Sequence, residues 1–111
     1  AGNYDLESGS RLFRALLDLP QPPTAMFVTN YDMTIGALMA AHERGVRLPE
    51  DLDFIGYDNV DLCSIVSPKL EIVEQPMNEM GLRAAELLLA RLGGDASPAK
   101  LLRLKAKLSN L

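Results

Sequence analysis

One cysteine, one histidine and a shortage of basic residues remove most of the chemistry that a chain of this size can carry. Cys63 has no partner for an internal disulfide, and its apolar neighbours Leu62 and Ile65 mark it as a small buried hydrophobe rather than a nucleophile or metal ligand. That usage fits a reducing, cytoplasmic compartment. His42 is alone, so spacings that need two histidines are impossible, and no Ser or Cys stands near it in sequence to be activated. Its place near a helix C-terminus suits a structural or interface role. No glycine-rich phosphate loop or dinucleotide fingerprint follows a strand. The residues point to no enzyme, cofactor or metal.

Acidic groups outnumber basic ones, and the net charge is -4. Phosphate-backbone binding needs clustered Lys and Arg to displace counterions, so the charge balance of the chain as a whole argues against direct contact with nucleic acid. The exception is local: all 15 acidic residues precede position 100, whereas Lys100, Arg103, Lys105 and Lys107 crowd the end. There Leu102, Leu104, Ala106 and Leu108 alternate with the charges, the period of a strand with one wet face. The N-terminus has neither a basic start nor an apolar run, and no stretch approaches membrane-spanning length.

What is present is an alternation of helical and extended patterns within 111 residues, 48% of them apolar. From Ser8, the spacing of Leu12, Phe13, Leu16 and Leu17 predicts an amphipathic helix, which Pro20, Pro22 and Pro23 stop. The apolar run Thr24 to Thr29 reads as a strand covered on both faces. Asp32 is a suitable N-cap for a helix from Met33 to about Arg44, with Gly45 to end it. Gly36, Ala37, Ala40 and Ala41 make that helix narrow and suit it to close packing, inside the molecule or against a second subunit. Leu52 to Tyr57 is a second strand, and strand, helix, strand is the parallel crossover unit. A short helix about Val60 to Val66 ends at Ser67-Pro68; Leu70 to Val73 is a third strand; and Met77 to Leu92, ending at Gly93-Gly94, is the longest periodic helix. The fold class is α/β, with a largely parallel sheet.

In open parallel sheets, ligands bind beyond the carboxyl ends of the strands. Asn30 and Asp58 follow two strands that a crossover makes parallel, and Gln75 follows the third. An Asn that donates and accepts beside an ionised Asp suits a polyhydroxylated or nitrogen-rich small molecule. The same residues are also ordinary turn formers, and Asp58 could cap the helix near Val60. Composition and spacing leave both readings open.

A longer set of motifs narrows them. Pro23 to Asn30, Gly36-Ala37-Leu38, Gly45 to Leu52 and Ile55-Gly56-Tyr57-Asp58-Asn59 together resemble the lactose-repressor/galactose-repressor family of transcriptional regulators. Pro68, Leu70, Gln75-Pro76 and Met80-Gly81 continue the pattern, and Gly2-Asn3-Tyr4 with Ser8-Gly9 extends it to the start. The resemblance implies a three-layer, periplasmic-binding-protein-like (type I) domain of two subdomains. Residues 1–74 and 100–111 would belong mainly to the C-terminal subdomain and 75–99 to the N-terminal one. This chain would supply about the last third of the regulator, without its DNA-binding head or the opposite wall of the pocket.

The resemblance also implies a role: sensing a small effector of the sugar or purine class and dimerising, with operator DNA bound only through the head. The runner-up is a sugar-binding transport protein of the same fold. Carried over by position, Asn30, Asp58 and Gln75 are polar ligand contacts and Tyr4 an aromatic one. Residues 33–44 and 61–67 are the implied homodimer contact. The sequence departs from the family's Asn-Asp pair by placing Tyr31 after Asn30, which leaves Asp32 as a cap.

Overall fold

The computed structural model describes residues 1–58, 61 and 70–110. Cys63, most of the expected helix at 60–66 and all but Asp61 of the expected dimer segment 61–67 lie outside the described residues. The chain divides into two compact units, residues 1–74 with 108–111 and residues 75–107.

The first unit begins with α1 (Leu6–Leu17). It starts before Ser8 because Asp5 caps it: the Asp5 carboxylate accepts the Ser8 N–H at 2.8 Å. Strand β1 (Ala25–Phe27) is shorter than the apolar run that encodes it. Helix α2 (Tyr31–Glu43) corrects the expected cap. Asn30, in extended conformation, accepts the Met33 N–H at 3.1 Å, so the helix begins at Tyr31. Asp32 falls within the first turn, where its charge complements the helix dipole. The other end matches expectation: Arg44 is the C-cap, and Gly45 takes the left-handed conformation with φ 67°.

Strand β2 (Asp53–Tyr57) pairs in parallel with β1 on one side and with β3 (Glu71–Glu74) on the other; β4 (Lys107–Asn110) completes the order β1-β2-β3-β4. The register sets Met26 beside Phe54 and Gly56 beside Ile72, so these residues share one sheet face. The two helices pack there. Phe13 of α1 and Ala37, Ala40 and Ala41 of α2 join Phe54, Ile72, Leu48, Leu52 and Leu70 in one buried cluster. Burying a side chain such as Phe54 or Ile72 stabilises by roughly 1.5–3 kcal/mol.

Two glycines let α1 and α2 cross closely. A Cβ on Gly9 would lie 2.3 Å from the Met33 carbonyl oxygen, and one on Gly36 would lie 2.0 Å from that of Leu6. The narrow face of α2 is therefore packed inside the molecule, the first of the two uses its small residues allow. Ion pairs fasten the far ends of the same helices: Arg14 meets Glu43, and Arg44 holds Asp18 with contacts of 2.5 and 3.0 Å.

In the second unit, α3 (Met77–Leu92) has the bounds its periodicity predicts, yet none of its residues is buried. The terminal strand is shorter than expected. Regular pairing covers only 107–110, whereas Lys100, Leu102, Arg103 and Leu104 line a groove of about 390 Å³ with Glu79, Arg83, Glu86 and Leu87 of α3. Alternation makes a strand only where a neighbouring strand accepts its hydrogen bonds, and residues 100–104 lie along a helix instead.

Candidate functional site

The parallel register brings Asn30 and Asp58 to one edge of the sheet. Phe27 pairs with Ile55, and each candidate stands three residues beyond its member of that pair. The pairing continues past the strand ends, with the Val28 N–H donating to the Ile55 carbonyl at 3.0 Å and the Asp58 N–H to the Val73 carbonyl at 2.9 Å. Both side chains therefore emerge at the carboxyl ends of adjacent strands, as the sequence predicts.

Asn30 is held tightly. Its side-chain oxygen caps α2, and its carbonyl accepts both the Thr34 N–H at 3.0 Å and the Thr34 hydroxyl at 2.7 Å. Thr34 is fully buried and abuts Gly56 in β2, where a Cβ would lie 2.7 Å from its methyl carbon. Thr34 thus fixes Asn30 against the neighbouring strand, a role the sequence reading missed. Its only sequence signal is a hydroxyl residue four positions after a cap, which is common in helices whose first turn bonds back to the backbone.

Asp58 and Tyr4 are the only non-glycine residues among those described with left-handed backbone, at φ 66° and φ 59°. That conformation is uncommon for residues with a Cβ, and more costly for Tyr4 than for Asp58, whose short polar side chain tolerates it better. Around Tyr4 the constraint is visible. The Asn3 N–H donates to the Ser8 hydroxyl at 3.1 Å, Asp5 caps α1, and Gly2 packs on the Met33 side chain, whose amide Asn30 caps. The Tyr4 ring itself is 73% exposed. Tyr4 therefore sits in a segment tied to the turn that carries Asn30. Gln75 follows β3 directly and is the first residue of the second unit.

Tyr31 and Asp61 form another link that the sequence did not disclose: the tyrosine hydroxyl donates to the Asp61 carboxylate at 3.0 Å. That bond, partial burial and the charges of Asp61 and Asp32 hold the phenol above its ordinary range. It stays protonated and a donor throughout the neutral range. Among the described residues, no group of three or more His, Cys, Asp and Glu side chains is placed to hold a metal ion. Nor is any helix there long and apolar enough to cross a membrane.

Parallel strands with polar side chains gathered at their carboxyl edge define a class, the α/β ligand-binding domain. Comparison with known proteins gives the particular family. Residues 1–110 match the family described as periplasmic binding protein-like domain, and the chain belongs to it. It is 45% identical over 94 residues to the HTH-type transcriptional repressor CytR of Escherichia coli K12, covering 85% of this chain and 28% of that protein. It is 37% identical over 99 residues to the probable HTH-type transcriptional repressor ExuR of Bacillus subtilis, covering 89% of this chain and 30% of the relative. The chain therefore spans less than a third of these relatives.

Among solved structures, a LacI family transcriptional regulator from Enterococcus faecium with bound ribose superimposes with a TM-score of 0.83 at 31% identity, covering 98% of this chain and 40% of that one. A complex of the transcriptional regulator CelR with cellobiose gives 0.84 at 32% identity, with 97% and 33% covered.

Proposed function

We propose that this chain is part of the effector-sensing domain of a cytoplasmic transcriptional regulator, and that Asn30 and Asp58 form one lip of its small-molecule site. The observation that carries this is backbone strain: the two described non-glycine residues with left-handed backbone, Tyr4 and Asp58, are both among the four positions expected to touch ligand. Strain of this kind concentrates at functional sites, where binding rather than folding selects it. In this reading Asn30 spends its oxygen on the cap and offers its amide N–H groups to the ligand. Asp58 accepts from ligand hydroxyl or ring N–H groups, and Tyr4 supplies an apolar face. Gln75 enters by its place directly after β3. The ligand is bound and released rather than turned over.

Relatives with bound ribose and cellobiose support a sugar-class effector, and relatives named as repressors favour regulation over transport. Binding would shift the regulator between states of different operator affinity, a coupling between two distinct sites. For the homodimer, burial of Gly36, Ala37, Ala40 and Ala41 leaves the opposite stripe of α2, namely Asp32, Ile35, Met39 and His42, as the contact surface.

Amide chemical-shift mapping of the chain during titration with ribose, cellobiose and adenine tests the site. The expected result is weak, saturable binding of at least one of them, with shifts gathered at Thr29, Asn30 and Asp58. Shifts confined to α3, or none with any of the three, would sink the reading.

A further inference from the structure

We infer that the hydrogen bond from Tyr31 to Asp61 is a brace that sets the spacing of Asn30 and Asp58, making Tyr31 a positioning residue for the effector site. The inference rests on the proposed function. Asn30 is immobilised by its cap and by Thr34. Asp58 is held from the β3 side through its amide, and its backbone is left-handed. Tyr31 directly follows Asn30, and Asp61 lies three residues beyond Asp58 in the chain, so their 3.0 Å contact ties the first residue of α2 to the segment that follows β2. The tether thus reaches across from the fixed side of the lip to the strained one.

The chemistry explains the residue choice. A phenol is long enough to reach across from the first position of a helix, and it donates to a carboxylate, which makes the bond charge-assisted. The Asp61 bond, with a smaller contribution from the charge of the adjacent Asp32, raises the phenol further above its ordinary range.

Hydrogen exchange at the Asp58 amide, read by NMR on the whole chain, tests the brace without a ligand. Tyr31→Phe keeps the ring and removes the donor; exchange at Asp58 should rise about threefold to tenfold, the scale of one hydrogen bond, with Met33 and Thr34 unchanged. Asp61→Ala should match it. Asp61→Asn keeps an acceptor and should stay within about twofold of the parent. Ribose-induced shifts at Asn30 and Asp58 should weaken in the first two variants and recover in the third. Unchanged Asp58 exchange in both Tyr31→Phe and Asp61→Ala overturns the brace. Failure of the parent chain to respond to any sugar or nucleobase overturns the functional reading alone.

Discussion

Helices α2 and α3 are of similar length, and by sequence pattern α3 is the better one, yet only α2 is packed. α2 buries Thr34, Gly36, Ala37, Ala40 and Ala41, whereas α3 buries no residue and leaves Leu88, Leu89 and Leu92 exposed. Apolar periodicity reports that a helix has a face to bury; it does not report whether the partner is at hand. Small residues carry different information. Gly36 and Gly9 have value only where another backbone comes close, and each meets one.

Truncation should separate the packed α1–α2 pair, to which Phe13 of α1 belongs, from α3 most widely. Phe13→Ala removes a ring that is 2% exposed, and its expected cost is about 3–5 kcal/mol. Leu88→Ala, at a residue 60% exposed, should stay within about 0.5 kcal/mol. Urea denaturation followed by circular dichroism measures both, and comparable losses would contradict the contrast. A glycine pair gives a difference of sign. Gly36→Ala forces a Cβ into the Leu6 carbonyl and should destabilise by about 1–3 kcal/mol or more. Gly81→Ala, with nothing within 4 Å, should stabilise α3 by about 0.5–1 kcal/mol. A neutral or stabilising Gly36→Ala would mean that α1 and α2 do not cross as described.

Acid should act on the first unit more than on the second, by a smaller amount. Asp5 is held below the ordinary carboxylate range by the Ser8 side chain and amide, Asp18 by Arg44, and Asp51 by Arg47. In the second unit Asp95 is lowered by Ser97. A depressed folded-state pKa contributes stability that is present above the unfolded value, about 3.9 for Asp, and lost as pH falls through the folded one. The denaturation midpoint should therefore be insensitive to these groups near neutrality and fall below about pH 4. Asp18→Asn should lower the neutral midpoint slightly and flatten that fall; an unchanged slope would show the Arg44 pair to be energetically silent.

Much of the architecture was legible because each element carries its own period and punctuation. The proline cluster after α1, Gly45 after α2 and Gly93-Gly94 after α3 all mark real ends. The failures are non-local. Asp32 and Asn30 are both acceptable caps, and the choice fell to Asn30, whose carbonyl is also fixed by Thr34 packed against Gly56. The alternation before β4 looked like strand, but strand needs a neighbour that the sequence does not name. The edge bearing Asn30 and Asp58 was predictable from topology. The left-handed backbone at Tyr4 and Asp58 and the Tyr31–Asp61 link were not, because a non-glycine residue gives no local sign of positive φ.

The central claim is that Asp58 is kept in a strained position for a ligand rather than for the turn. The most direct measurement pairs effector affinity with the denaturation midpoint in Asp58→Ala, using whichever of ribose, cellobiose or adenine the parent binds. The account predicts that binding is lost at least tenfold, the scale of a charge-assisted hydrogen bond, while stability changes by less than about 1 kcal/mol. Equal loss of binding and stability, or a stability loss with binding intact, would contradict it and return Asp58 to the role of an ordinary turn residue.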